Sequence, residues 1–187
     1  MSTVLLICGI VVLLFMIVVI VLYNSLVKAR NLAQTALSDI DVHLTKRFSL
    51  VPNLVSITKN YAQYESELLL EIVEKRIGAA TVGNVEQAAA TDDSVTSSLH
   101  KLQIVAESYP ELKANQQFLE LMEKLSFIEN DLVFARRFFN GAVRDLNNRI
   151  QSFPNNLIAG LFGFQPLPFY RVSSEAERAV PIIDTIH

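Results

Sequence analysis

The sequence predicts an all-α protein: an N-terminal transmembrane helix, an elongated antiparallel helical bundle and a partly extended C-terminal tail. Three observations lead to this prediction. An uninterrupted apolar run opens the chain, apolar residues then recur at steps of three and four, and proline and glycine interrupt the last segment. We therefore divide the chain into an anchor (1–23), a bundle (24–153) and a tail (154–187).

The anchor is predicted from the run Val4–Leu22, which contains no charged or strongly polar side chain. A helix of this length matches the roughly 30 Å hydrocarbon core of a bilayer, with Val4, Leu13 and Leu22 at its start, middle and end. A buried helix of a soluble core and a cleaved signal peptide are the alternatives. The uncharged start and the length of the run disfavour a signal peptide.

Orientation is predicted from the basic residues that flank the run. Only the α-amino group precedes it, whereas Lys28 and Arg30, then Lys46 and Arg47, follow it. The positive-inside rule places the N-terminus outside and the C-terminal domain in the cytoplasm. A net charge of −3 gives no indication of a nucleic-acid surface, so we expect no nucleic-acid partner.

The first bundle helix is predicted over residues 24–76, where apolar residues form one helical stripe. Pro52 lies inside this stripe, and its ring clashes with the carbonyl of Phe48, four residues earlier. Because the periodicity continues past Pro52, we expect a helix kink there. A break into two helices near residues 50–53 is the alternative.

Two further helices are predicted over residues 93–108 and 116–152. Segment 78–94, between the first and second bundle helices, is rich in small residues and is predicted to be a loop, either without regular structure or with a short helical turn, and Asp92, Asp93 or Ser94 is the predicted N-cap of the second helix. The third helix has a near-heptad apolar seam, which is typical of long antiparallel packing.

The tail contains the apolar stretch Leu157–Tyr170, which is too short and too interrupted to cross a membrane. Such a surface would be unusual if left in water. Three alternatives are open: the stretch folds back on its own bundle, it contacts another protomer or partner, or it lies at the bilayer interface. The candidate contact residues are Leu157, Leu161, Phe162, Phe164, Phe169 and Tyr170.

Signatures of catalysis and of metal binding are sparse. The histidines His43, His100 and His187 are scattered, and the lone Cys8 lies in the apolar run. No metal-binding helix motif, phosphate loop or nucleophile elbow occurs in the sequence. We therefore expect no enzymatic activity, no metal and no cofactor.

Several strings in the sequence resemble the LemA family of bacterial membrane proteins, over roughly residues 23–183. They include Tyr23-Asn24-x-Leu26-Val27-x-x-Arg30-Asn31, Ser38-Asp39-Ile40-Asp41-Val42, Leu50-Val51-Pro52-Asn53-Leu54-Val55, Tyr109-Pro110-Glu111-Leu112-Lys113-Ala114-Asn115, Ala135-Arg136-Arg137-x-x-Asn140, Phe153-Pro154-x-Asn156-x-Ile158-Ala159 and Gly163-Phe164-x-Pro166-x-Pro168-Phe169. Leu37 departs from the pattern, since many members have Trp there. The resemblance implies a helical bundle on one N-terminal anchor, with a cytoplasmic domain and no established enzymatic activity.

The functional hypothesis is a non-enzymatic scaffold of the bacterial inner membrane that contacts membrane lipid and forms a homo-oligomer. Three observations favour this hypothesis: the lack of catalytic and metal-binding motifs in the sequence, the long apolar seams and the apolar tail. The alternative is an adaptor or regulator of a membrane protease or other envelope complex, because the resemblance implies that members are often encoded near such proteins.

Overall fold

A computed structural model of the chain describes residues 2–62, 69 and 84–171. Over these residues it contains five helices and no strand, which confirms the predicted all-α class. The helices are α1 (Ser2–Tyr61), α2 (Val85–Ser108), α3 (Pro110–Lys113), α4 (Gln116–Gln151) and α5 (Asn155–Phe162).

Helix α1 joins the apolar run to the first bundle segment without interruption. Its apolar window is long enough to cross a membrane, and none of that window is buried in the protein. The helix continues through Pro52, and the kink at this residue stays a prediction. The expected helix end near residue 76 lies outside the described residues.

Helix α2 begins at Val85, not near residue 93. Asn84 is its N-cap: the backbone is extended, and the side-chain Oδ1 accepts a hydrogen bond of 2.8 Å from the Gln87 N–H. The alanines that follow are strong helix formers, so the segment expected to be a loop is helical from residue 85. The prediction that Asp92, Asp93 or Ser94 caps this helix is therefore wrong.

The chain forms two compact units, and both α1 and α4 contribute to each of them. The first unit comprises residues 1–39 and 134–169, and the second comprises residues 40–133 and 170–187. The first unit buries mainly small residues of α1 and mainly larger residues of α4 and α5: Leu26, Ala29, Ala33, Ala36, Phe139, Val143, Leu146, Ile158 and Ala159.

The second unit has a core of larger aliphatic side chains from α1 to α4. They are Ile40, Leu44, Val51, Leu54, Val95, Leu102, Leu112, Leu125 and Leu132. Asn115 lies between α3 and α4 and caps α4, since its Oδ1 accepts a 3.0 Å hydrogen bond from the Phe118 N–H. Its amide group also donates to the Tyr61 hydroxyl, which connects this corner to the end of α1.

Candidate functional site

In the first unit, the tail is attached to α4 by a single asparagine side chain. The Asn147 Nδ2 donates to the Leu167 carbonyl, and the Asn147 Oδ1 accepts from the Leu167 N–H, both at 2.9 Å. These bonds satisfy both backbone groups of Leu167. Asn147 thus makes the two hydrogen bonds to Leu167 that a neighbouring strand would make in a sheet.

Gly163 makes the turn between α5 and this extended segment. It has a φ of +71°, the left-handed conformation that glycine adopts without strain, and it ends α5. The next amide, that of Phe164, donates to the Ala159 carbonyl at 2.9 Å. The backbone conformation therefore favours glycine at this position.

Two contacts connect the region around α5 to the part of α1 that directly follows the apolar run. The Tyr23 ring lies 4.8 Å from the Phe162 ring and 5.8 Å from the Phe164 ring, measured between centroids. At the end of α4, the Arg149 Nη1 donates to the Ser25 hydroxyl at 2.6 Å. The tail helix therefore lies beside the end of the predicted membrane span.

The structure separates the predicted contact residues of the tail into two groups. Tyr170 is buried and Phe164 is half-buried, so this part of the tail folds back on its own chain. The other four, Leu157, Leu161, Phe162 and Phe169, are exposed. Their role in contacting a partner stays a prediction.

The second unit contains a buried polar network that sequence reasoning missed. Its centre is Arg47 on α1, of which only 5% is exposed. The Arg47 Nη1 lies 2.8 Å from the Asp92 Oδ1 and donates to the Thr96 hydroxyl at 3.1 Å. The Arg47 Nη2 lies 3.0 Å from the Glu129 Oε2. One guanidinium therefore connects α1 to both α2 and α4.

Asp92 extends this network to the tail. Its side chain is completely buried, and its second oxygen, Oδ2, accepts a 2.9 Å hydrogen bond from the Tyr170 hydroxyl. The Thr96 hydroxyl in turn donates to the Asp92 carbonyl at 2.9 Å. Helices α1, α2 and α4 and the tail residue Tyr170 therefore meet at the ion pair between Arg47 and Asp92.

The contacts of this network indicate a structural role. A guanidinium stays protonated at all ordinary pH values and presents its donors in a rigid fork, and Asp92 has no contact with solvent through which a substrate could approach. Truncating one member of a buried pair typically costs about 3–5 kcal/mol, although a well-packed apolar replacement of both can be neutral. The network therefore fixes which faces of the helices meet.

The sequence contains a signal for two members of this network. The buried stripe of α1 advances from Leu44 to Val51, and Arg47 occupies the intervening stripe position. Asp92 likewise lies between the buried residues Ala88 and Val95 of α2. A charge on an apolar stripe implies a buried partner, because an isolated buried charge is prohibitively costly.

A metal site is not found in the described part of the chain, where no group of three or more histidine, cysteine, aspartate or glutamate side chains has a suitable arrangement. His43 lies 3.8 Å from the Asp131 carboxylate, which is a contact between two residues only.

The fold defines the class of protein. It is an all-α protein with an N-terminal helix that is long and apolar enough to cross a membrane.

The family follows from comparison with known proteins. The model of the LemA family matches residues 36–184. This range covers most of the chain, so the chain belongs to the LemA family, as the sequence strings predicted.

The chain is also similar to several known proteins. The chain is 26% identical to the protein LemA of Metamycoplasma hominis, over 83% of this chain and 71% of that protein. It is 23% identical to the magnetosome protein MamQ 2 of Paramagnetospirillum magneticum, over 80% of this chain and 64% of the relative. The magnetosome protein MamQ of Magnetospirillum gryphiswaldense is also 23% identical, over 79% and 64%. The matched region thus spans less than two thirds of the magnetosome proteins.

Proposed function

We propose that this LemA family protein is a non-enzymatic helical scaffold, anchored in the bacterial inner membrane, where copies of the chain associate with one another. One observation carries the anchoring. The apolar window of α1 is entirely unburied in the protein, and an exposed apolar helix of that length requires a lipid environment.

Orientation follows from the exposed basic residues that come directly after the apolar run. Lys28 and Arg30 both lie on the surface of α1, whereas the segment before the run carries no basic side chain. By the positive-inside rule, the helical domain lies on the cytoplasmic side. An accessibility assay on intact cells with membrane-impermeant thiol reagents tests this orientation.

Self-association is supported by an exposed aromatic pair on α4. Phe134 and Phe138 are four residues apart, so they lie on the same helix face, and both rings are mostly exposed. Aromatic side chains of this kind are enriched at protein–protein contacts. We therefore place the contact between copies on this face of α4.

The test uses the full-length chain with Cys8 replaced by serine and one new cysteine. We expect Phe138→Cys to form homotypic crosslinks in native membranes, and the matched exposed position Glu107→Cys on α2 to form none. Sizing in mild detergent should also give an oligomer. A monodisperse monomer together with no homotypic crosslink at residue 138 would refute self-association.

The same experiment separates the alternative function. An adaptor or regulator of a membrane protease or other envelope complex would be recovered from native membranes in a stoichiometric hetero-complex. Homotypic crosslinks at residue 138 without any second protein favour the scaffold.

A further inference from the structure

Helix α5 has two apolar faces, and only one of them is buried in the part of the chain that the structure describes. Ile158 and Ala159 are buried in the first unit. Leu157 and Leu161, four residues apart on the other side, are 63% and 76% exposed, and Phe162 is 51% exposed. We call Leu157 and Leu161 the outer face of α5, whereas Phe162, at the end of the helix and four residues after Ile158, lies on the side of the buried residues.

The outer face of α5 is unsuited to water. From Pro154 to Tyr170 the sequence contains no charged residue, so this segment contributes no ionised group to the surface. Phe153, just before α5, is even more exposed than the leucines. Concentrated apolar exposure of this kind marks an interaction surface.

The position of α5 identifies what covers this face. The Phe162 ring, at the end of α5, is in contact with Tyr23, which directly follows the last residue of the apolar run. Tyrosine is enriched where a membrane span leaves the hydrocarbon. All these residues belong to one compact unit, so α5 lies at the level of the bilayer surface when α1 spans the membrane.

Basic side chains lie close to this level. Lys28 and Arg30 are exposed on α1, five and seven residues after Tyr23. Arg149 donates to Ser25 while pairing with Asp145 at 3.0 Å, and its side chain remains partly exposed. Cations at this depth are attracted by anionic headgroups, whereas a protein partner would have to displace those lipids.

We propose that the outer face of α5 inserts into the bilayer interface beside the transmembrane span, as a helix lying in the membrane plane. Interfacial helices of this type bury their apolar face about 5–10 Å deep. Here the bundle covers the opposite face, which in a free interfacial helix would be charged. The protein then contacts the bilayer at two points, the span and α5. This inference rests on the proposed anchoring and not on self-association.

The test measures lipid contact at single positions of the full-length chain in the Cys8→Ser background. Leu161→Cys reports on α5, Leu13→Cys on the span, and Leu119→Cys on an exposed leucine of α4 in the second unit. Each variant is labelled with an environment-sensitive fluorophore. It is then reconstituted in vesicles of phosphatidylethanolamine and phosphatidylglycerol, with or without nitroxide-labelled acyl chains.

We expect the probes at residues 161 and 13 to emit at shorter wavelength and to lose most of their emission to the nitroxide lipid. The probe at residue 119 should behave as in water. A residue 161 probe that matches residue 119, while residue 13 is quenched, overturns the interfacial helix and leaves the anchor intact. An unquenched residue 13 overturns the anchor as well.

A second copy is the competing occupant of this face. A second copy would shield the probe at residue 161 without lipid quenching, and Leu161→Cys would then crosslink between copies. This result also overturns the proposal.

A second variant, Leu157→Ser with Leu161→Ser, leaves the buried face of α5 unchanged. We expect faster amide exchange of α5 in vesicles and unaltered protection of α4; unchanged exchange of α5 contradicts lipid contact.

Discussion

Replacing the buried charge pair of Arg47 and Asp92 should destabilise the protein more when one partner is removed than when both are. Asp92→Leu leaves a buried guanidinium whose remaining anionic contact is Glu129, itself partly exposed. Arg47→Met leaves the completely buried Asp92 carboxylate without the guanidinium nitrogen that lies 2.8 Å from its Oδ1.

The expected loss for each single variant is about 3–5 kcal/mol, because removing one partner of a buried pair leaves the other charge buried without it. At about 2–4 °C per kcal/mol for a chain of this size, the Tm falls by roughly 6–20 °C. The double variant removes both charges and fills the space with apolar atoms. It should be at least ~2 kcal/mol more stable than Arg47→Met alone.

Thermal unfolding of the full-length chain in mild detergent, followed by helical circular dichroism, measures these differences. The matched control is the ion pair between Arg149 and Asp145, whose side chains are both substantially exposed. Asp145→Ala should cost no more than about 0.5 kcal/mol. If the losses of the two single variants simply add in the double variant, Arg47 and Asp92 do not act as a coupled pair and the reasoning fails.

Three further variants test the tail. Tyr170→Phe removes the hydrogen bond to the buried carboxylate and should cost about 1.5–3 kcal/mol; an unchanged Tm would contradict that bond. Asn147→Leu removes both hydrogen bonds to Leu167 and should cost about 1–3 kcal/mol, with loss of exchange protection at the Leu167 amide, whose persistence would argue against the attachment. Gly163→Ala should cost about 1–2 kcal/mol, because its φ of +71° is unfavourable for a residue with a Cβ. An added Cβ would meet no atom within 4 Å, so this cost comes from the backbone conformation alone. Gly160→Ala, equally open but inside α5, is its matched control and should stabilise slightly; equal effects of the two substitutions would exclude backbone strain at Gly163.

The helical class could be predicted from the sequence because periodicity reflects which side of each helix is buried. The stripe on α1 and the seam on α4 are local patterns that need no knowledge of the partner helix. The start of α2 was missed for a local reason. Asn84 and the acidic pair at 92–93 are both capable N-caps, and the small residues between them favoured a loop interpretation over the helical propensity of alanine.

The polar network lies partly beyond sequence reasoning. Arg47 and Asp92 sit on apolar stripes, and this much is visible in the sequence. Their pairing is long-range, however, and depends on how α1 packs against α2 in the second unit. The hydrogen bond between Tyr170 and the Asp92 carboxylate depends on the path of the tail. No periodic pattern in the sequence predicts that path. The exposed outer face of α5 likewise appears only once Ile158 and Ala159 are seen to be buried.

The side chain of Asn147 also determines the alignment of the tail, residue by residue. It holds both an N–H and a carbonyl of one residue, and the residues on either side of Leu167 are Pro166 and Pro168. Proline has no N–H, so a shift of one residue in either direction would leave the Asn147 oxygen without a donor. The Pro-Leu-Pro sequence thus offers a single acceptable position. Leu167→Ala should preserve this alignment, since the contact reads the backbone and not the leucine side chain.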